Sequence, residues 1–208
     1  GVNGSGMHIN QSLATLDGKN AFYDEKGDYQ LSKDALHFIA GLLKNVRGIT
    51  ALTNPLVNSY KRLVPGYEAP VYVAWSVANR SALLRVPSKR GNATRVELRS
   101  PDPAANPYLA FAAMVMAGLD GVKNKIEPPE SSPVNIYQLS ERERADRNIE
   151  SLPGSLYEAL QEFKASKVAK EALGEHAFNE FIKTKTREWD EYRIDVTPWE
   201  IDRYIARY

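Results

Sequence analysis

Residues 54–70, Asn-Pro-Leu-Val-Asn-Ser-Tyr-Lys-Arg-Leu-Val-Pro-Gly-Tyr-Glu-Ala-Pro, limit what this chain can fold into more than any other stretch. Pro55, Pro65 and Pro70 each lock φ near about −65° and withhold a backbone donor. Gly66 supplies the freedom that a sharp turn needs. The segment between Tyr60 and Pro70 therefore reads as an ordered, non-helical loop that holds Arg62 and Glu68 in place. A chain does not need such a loop to fold. An ordered loop that presents a cation and an anion points to binding, with two solvated surface charges as the bland alternative.

Composition narrows the classes. At 208 residues with 43% hydrophobic content the chain is long enough for one or two domains with a packed core. Lys plus Arg number 27 against 26 Asp plus Glu, a net charge of +1, which gives no bulk electrostatic case for nucleic acid or membrane surfaces. No apolar run approaches the roughly 18 residues that cross a bilayer, and the first residues do not resemble a secretory signal. A soluble cytoplasmic chain is the expectation. With no cysteine, disulfides, thiolate metal sites and Cys nucleophiles are excluded. The chain opens at Gly1 without methionine and enters a dense motif by Asn3, which reads as the start of a fragment.

Residues 4–13 can be extended, with His8 and Asn10 on one face and Met7 and Ile9 on the other. Asp17-Gly18 and Lys26-Gly27-Asp28 are turn signals, and Ser32 is placed as the N-cap of a helix carrying Leu36, Ile39, Leu42, Leu43 and Val46, with Gly48 as its end. Residues 71–78 and 82–86 read as core strands joined by Asn79-Arg80-Ser81. Residues 94–99 alternate, placing Arg95, Glu97 and Arg99 on one face of a strand. Either that face is solvated and laced with ion pairs, or it lines an inward polar cavity. Asn106-Pro107 opens a helix through Ala117 that is apolar nearly all round and should be buried. Pro128-Pro-Glu-Ser-Ser-Pro133 marks a boundary between residues 1–127 and a helical region, 128–208. Ser155 with Glu158 and Thr197 with Glu200 read as capping boxes, and residues 175–193 carry an apolar stripe through Phe178, Phe181, Ile182 and Trp189. The final helix, with Trp199, Tyr204, Ile205 and Tyr208, is too apolar to stand in solvent.

Four blocks in order and spacing resemble bacterial type I glutamine synthetase. Asn3-Gly-Ser-Gly-Met-His8 is similar to its glycine-rich substrate loop, residues 54–70 to its glutamate-binding and flap segment, and Asn79-Arg-Ser-Ala-Leu-Leu-Arg85 to its ATP-phosphate block. Arg95-Val-Glu-Leu-Arg99 with Pro101-Asp-Pro-Ala-Ala-Asn-Pro107 resembles its metal and substrate strand. The likeness runs to Pro198-Trp-Glu and looks most like the feedback-regulated branch of low-GC Gram-positive bacteria. It implies an α+β fold: the C-terminal part of the catalytic domain, with antiparallel strands forming part of an active-site barrel surrounded by helices, and a helical C-terminal region. It also implies a homo-oligomer of two stacked six-membered rings, into which the tail inserts, and a nitrogen-regulating transcription factor as a further partner.

The chemistry implied is ATP-dependent ligation of ammonia to L-glutamate through γ-glutamyl phosphate. Amide formation needs the carboxylate oxygen turned into a good leaving group, which phosphorylation does, and phosphoryl transfer is catalysed by positioning and by cations around the transferring group. By resemblance, Arg80 contacts the transferring phosphoryl group, and Asn10, Ser12, Arg85 and Arg95 bind nucleotide. Lys89 stands near a further basic position of the family at a spacing one residue short, and Asn10 replaces a histidine that some members carry. His8 and Glu97 match two ligands of a site for Mg²⁺ or Mn²⁺, hard ions that prefer oxygen donors, with imidazole acceptable to Mn²⁺. Asn3, Gly4, Arg62 and Arg99 match glutamate-binding positions. Glu68 matches the flap glutamate, which shields the intermediate from water and takes a proton from ammonium. Tyr137 lies in an Asn-Ile-Tyr setting like that of the adenylylated branch, yet its flanks resemble the other branch, so no adenylylation is expected. The remaining carboxylate ligands and the ammonium-binding aspartate have no match, so the isolated chain is expected to be inactive. A paralogous glutamate–amine ligase and a non-catalytic assembly or regulator-binding module are the competing readings.

Overall fold

Four short strands, each joining apolar to polar residues, build one small sheet: β1 (Ile9–Gln11), β2 (Trp75–Ser76), β3 (Leu84–Arg85) and β4 (Val96–Leu98) in the order β1-β4-β3-β2. The structure, a computed structural model, describes residues 4–77, 79, 81–132 and 134–207. β4 pairs antiparallel with β1 and with β3, setting Asn10 and Arg85 opposite Glu97 on its two sides. β2 runs parallel to β3, where antiparallel pairing was expected. Residues 71–77 and 82–86 are mostly buried, as the sequence suggested, but regular pairing is confined to two residues in each, and Val71 and Val73 pair instead with Leu152 and Glu150.

Seven α-helices accompany the sheet among the described residues. α1 (Lys33–Thr53) begins where Ser32 accepts a hydrogen bond from the Ala35 amide. It runs past Gly48, which is no terminator: a Cβ there would lie 2.8 Å from the Ser166 side chain, so the glycine admits a neighbouring segment. Asn54, ahead of Pro55, ends the helix, as the crowding of a residue before proline requires. α2 (Ser59–Arg62) makes the first part of the expected loop helical, and the irregular loop starts only after Arg62. Gly66 has φ +89° at its tip.

α3 (Pro107–Asn124) opens on Asn106, whose side chain accepts from the Tyr108 and Leu109 amides, and it extends beyond Ala117. It is buried on one face only: Tyr108, Phe111, Val115 and Leu119 are exposed. On the buried face α1 and α3 touch backbone to backbone, since a Cβ on Gly41 would stand 2.3 Å from the Ala117 carbonyl and one on Gly121 1.9 Å from that of His37. Phe38 fills the space over Gly118 and packs against Phe22 with ring centroids 5.0 Å apart and planes tilted by 54°. Each such aromatic or aliphatic side chain contributes about 1.5–3 kcal/mol by burial.

α4 (Glu141–Asp146) and α7 (Pro198–Tyr204) both start with a reciprocal capping box, Ser140 with Glu143 and Thr197 with Glu200. At α5 (Leu156–Ala165) Ser155 caps the Glu158 amide, but the Glu158 carboxylate accepts from the Gly154 amide, one residue short of the expected box. α6 (Lys167–Tyr192) absorbs the expected 175–193 helix and breaks its regular geometry at Gly174. Phe163 joins α5 to α6 by stacking on Phe178 at 4.7 Å. In α7 the apolar side chains Trp199, Ile201 and Tyr204 are exposed, as is Ile205 beyond it. Among the described residues no helix is long and apolar enough to cross a membrane.

Candidate active site

Glu97 is the centre of the polar face. It lies mid-strand in β4, 4% exposed, and a carboxylate so placed needs partners. It has three. Arg85, its partner across the β3–β4 pair, sets Nε and Nη2 both 2.7 Å from Oε2. His8 Nδ1 stands 2.9 Å from Oε1, and Arg99 Nε lies 3.8 Å from the same atom. Of the three charges on alternate residues of 94–99, Glu97 and Arg99 face inward and are buried, whereas Arg95 is partly exposed and reaches across to Asn10 Oδ1 at 2.9 Å on the solvent side, so the enclosed reading holds for two of the three.

Burial lowers the His8 pKa, the Arg99 charge lowers it further, and Glu97 opposes both without reversing them. His8 is thereby held as neutral imidazole, the form that ligates metals. Among the described residues no group of three or more His, Asp or Glu gathers to hold an ion. His8 and Glu97 form a two-donor arm, one nitrogen and one carboxylate, with His8 open to solvent. This set fits part of a divalent site completed from elsewhere, and the His–Glu hydrogen bond fixes the imidazole orientation meanwhile.

Beside this cluster a cavity of about 460 Å³ is lined by Gly4, Gly6, His8, Lys61, Arg62, Glu68 and Arg99 with neighbouring loop residues. Arg62, at the end of α2, donates from Nη1 to the Ser100 carbonyl at 2.7 Å and the Pro101 carbonyl at 3.3 Å, and from Nη2 to the Arg99 carbonyl at 3.1 Å. Those carbonyls fix the guanidinium through three of its five N–H donors and leave two for a ligand. Burial lowers the Arg62 pKa, yet it stays cationic across physiological pH. A Cβ on Gly6 would meet Arg62 Nη2 at 2.2 Å, so a larger residue there would push the guanidinium off those carbonyls. A second cavity, about 600 Å³, shares Glu68 and Arg99 with the first and adds Asn79, Ser81, Asn135 and Tyr137. Burial raises the Tyr137 pKa, keeping its hydroxyl a donor.

The structure therefore brings together Gly4, His8, Arg62, Glu68, Arg85, Glu97 and Arg99, with Asn10 and Arg95 adjoining on the strands. Ser12 is exposed and absent from the lining of both cavities. The expectations for Asn3 and Arg80 fall outside the described residues. Tyr67, Ser81, Asn135 and Tyr137 line the cavities without a sequence role assigned to them. All four sit inside segments already singled out, but Asn135 and Tyr137 come from a stretch distant in sequence, whose contact with the cavity has no local signal.

Residues 1–204 match the family model described as "Glutamine synthetase, catalytic domain". The chain belongs to the glutamine synthetase catalytic-domain family. It is 62% identical over 206 residues to the glutamine synthetase of Methanosarcina mazei, covering 99% of this chain and 46% of that protein. It is 57% identical over 208 residues to that of Thermus thermophilus, covering 100% of this chain and 46% of the relative. With the Clostridium saccharobutylicum glutamine synthetase identity is 56%, over 100% of this chain and 47% of the relative. The chain thus spans about half the length of the curated relatives it matches. These organisms are diverse, and similarity alone does not single out the low-GC Gram-positive branch. A solved GmaS–ADP complex shares the fold with a TM-score of 0.86 at 36% identity, covering 98% of this chain and 46% of that one.

Proposed function

We propose that this chain carries the glutamate-, nucleotide- and part of the metal-binding wall of an ATP-dependent glutamate–ammonia ligase whose remaining half completes the site. One observation supports this most: a buried carboxylate among His8, Arg85 and Arg99 adjoins a cationic cavity bearing Arg62 and a loop glutamate, in a chain of the glutamine synthetase family. The relatives' name supplies the reaction, and the ADP bound by GmaS supplies the nucleotide.

Arg62, held by three backbone carbonyls, clamps the α-carboxylate of glutamate together with Arg99. Gly4 and Asn3 border the substrate. Arg80 meets the transferring phosphoryl group, while Arg85, Arg95, Asn10 and Ser12 serve the nucleotide. His8 and Glu97 hold a divalent ion, Mg²⁺ or Mn²⁺, which supplies charge neutralisation at the phosphates when bound. A γ-carboxylate oxygen of glutamate attacks the terminal phosphorus of ATP and ADP leaves. Ammonia then attacks the carbonyl carbon of γ-glutamyl phosphate and expels phosphate. Glu68 accepts the proton that ammonium must lose and, by covering the cavity, keeps water from the acyl phosphate. Residues 1–127 carry these groups, and 128–208 form the helical region and tail. The exposed apolar surface of α7 supports homo-oligomeric assembly, whereas no observation on the described residues supports a transcription-factor partner.

The test is ADP release dependent on glutamate, ammonium and Mg²⁺, measured for this chain alone and for this chain co-expressed with the remaining half of the polypeptide. Activity only in the second, abolished by Arg62→Ala, is the expected result. Silence in both would favour a non-catalytic assembly module.

A further inference from the structure

The loop that carries Glu68 is tied down from an unexpected side. Its C-terminal end, Ala69, is buried, and the Ala69 carbonyl accepts a hydrogen bond of 2.6 Å from the Tyr137 hydroxyl. Ring contacts hold Tyr137 where this bond requires it. Its ring lies 5.8 Å from that of Tyr72, and the Tyr72 ring is covered in turn by the Arg144 guanidinium at 4.5 Å. The segment bearing Tyr137 is bound to the opposite cavity wall as well. The Ile136 amide donates to Ser81 Oγ at 3.2 Å, and Asn79 Nδ2 donates to the Val134 carbonyl. Residues 134–137 therefore strap Asn79 and Ser81 to the root of the 64–69 loop across the second cavity, with Glu68 one residue from the anchored carbonyl.

We propose that Tyr137 is a positioning residue for Glu68, its hydroxyl fixing the hinge on which the loop settles over the reacting carbonyl. The inference rests on the proposed ligase function. It differs from a packing role because the ring contacts with Tyr72 survive the loss of the oxygen alone. In Tyr137→Phe the core stays filled, while the hinge loses one hydrogen bond and Glu68 spends more time away from the cavity.

The experiment uses the complete protein, this chain with its remaining half, and compares wild type, Tyr137→Phe, Glu68→Gln and the double variant. The diagnostic quantity is the ratio of ADP released to glutamine formed. A loop that no longer seals the site admits water, which hydrolyses γ-glutamyl phosphate to glutamate and phosphate and consumes ATP without amide. Tyr137→Phe is expected to raise this ratio severalfold at unchanged KM for ATP, and the double variant to equal Glu68→Gln alone. Hydrogen exchange of the 66–69 amides, which needs no turnover, should quicken about fivefold in Tyr137→Phe, the effect of one lost net hydrogen bond. An unchanged ratio with unchanged exchange would overturn the proposal, as would a fall in kcat at a ratio still equal to one. A wild type without ligase activity would instead refute the ligase reading, with the exchange experiment still deciding whether Tyr137 anchors the loop.

Discussion

Replacing Glu97 by glutamine keeps its shape and removes its charge, so the result measures what the buried carboxylate does for the fold. Oε2 takes both Arg85 contacts at 2.7 Å, and a glutamine oxygen can still accept there. The amide nitrogen would face His8 Nδ1, which as neutral imidazole can accept from it. Arg99, 8% exposed, loses the Glu97 charge 3.8 Å from its Nε and gains little from water in exchange. Breaking a buried pair from one side costs about 3–5 kcal/mol. Arg85 and His8, with side chains 27% and 40% exposed, can rehydrate, which places the loss near the lower bound, about 3 kcal/mol. At roughly 2–4 °C per kcal/mol for a chain of this size, the melting midpoint should fall by about 6–12 °C. Thermal and urea denaturation of Glu97→Gln, with Glu191→Gln as the control in an exposed Arg187 pair, provide the assay. The control should move by less than about 1 kcal/mol. If Glu97→Gln moved no further than Glu191→Gln, the carboxylate would not be the hub of this face.

Gly121→Ala should destabilise the chain by about 3 kcal/mol or more, because its Cβ would lie 1.9 Å from the His37 carbonyl and force α1 and α3 apart; urea unfolding measures it. His8 titrates below its ordinary value in the folded chain. Below about pH 6.5 the unfolded state therefore takes up a proton that folded His8 refuses, and stability falls as pH drops through the interval between the two pKa values. In His8→Gln that part of the slope should vanish, which denaturation midpoints collected from about pH 7.5 to 5 will show.

Much of the fold is legible wherever local chemistry decides it. Ser32, Asn106 and Thr197 announce their helices because each cap is a bond between near neighbours. Gly48 misleads for the opposite reason: its purpose is the approach of Ser166, more than a hundred residues away. The same holds for α3, whose all-round apolarity does not say which face meets α1, and for residues 71–73, whose backbone partners at 150–152 no local pattern discloses. At the site, alternation along 94–99 put Arg95, Glu97 and Arg99 on one face, yet whether that face was wet or enclosed depended on His8 and Arg85 arriving beside β1 and from β3. Arg62 and Glu68 were legible because proline and glycine mark a built loop. Tyr137 was visible as an aromatic in a loop, but its bond to Ala69 spans 68 residues and only the folded chain reveals it.

The most direct measurement follows the oxygen. With the complete protein and glutamate carrying ¹⁸O in its γ-carboxylate, the proposed chemistry transfers one labelled oxygen to phosphate for each glutamine made, because that oxygen leaves with the phosphoryl group it accepted from ATP. Phosphate with one ¹⁸O per glutamine, lost in Arg62→Ala, is the predicted result. Unlabelled phosphate alongside glutamine formation would contradict the account.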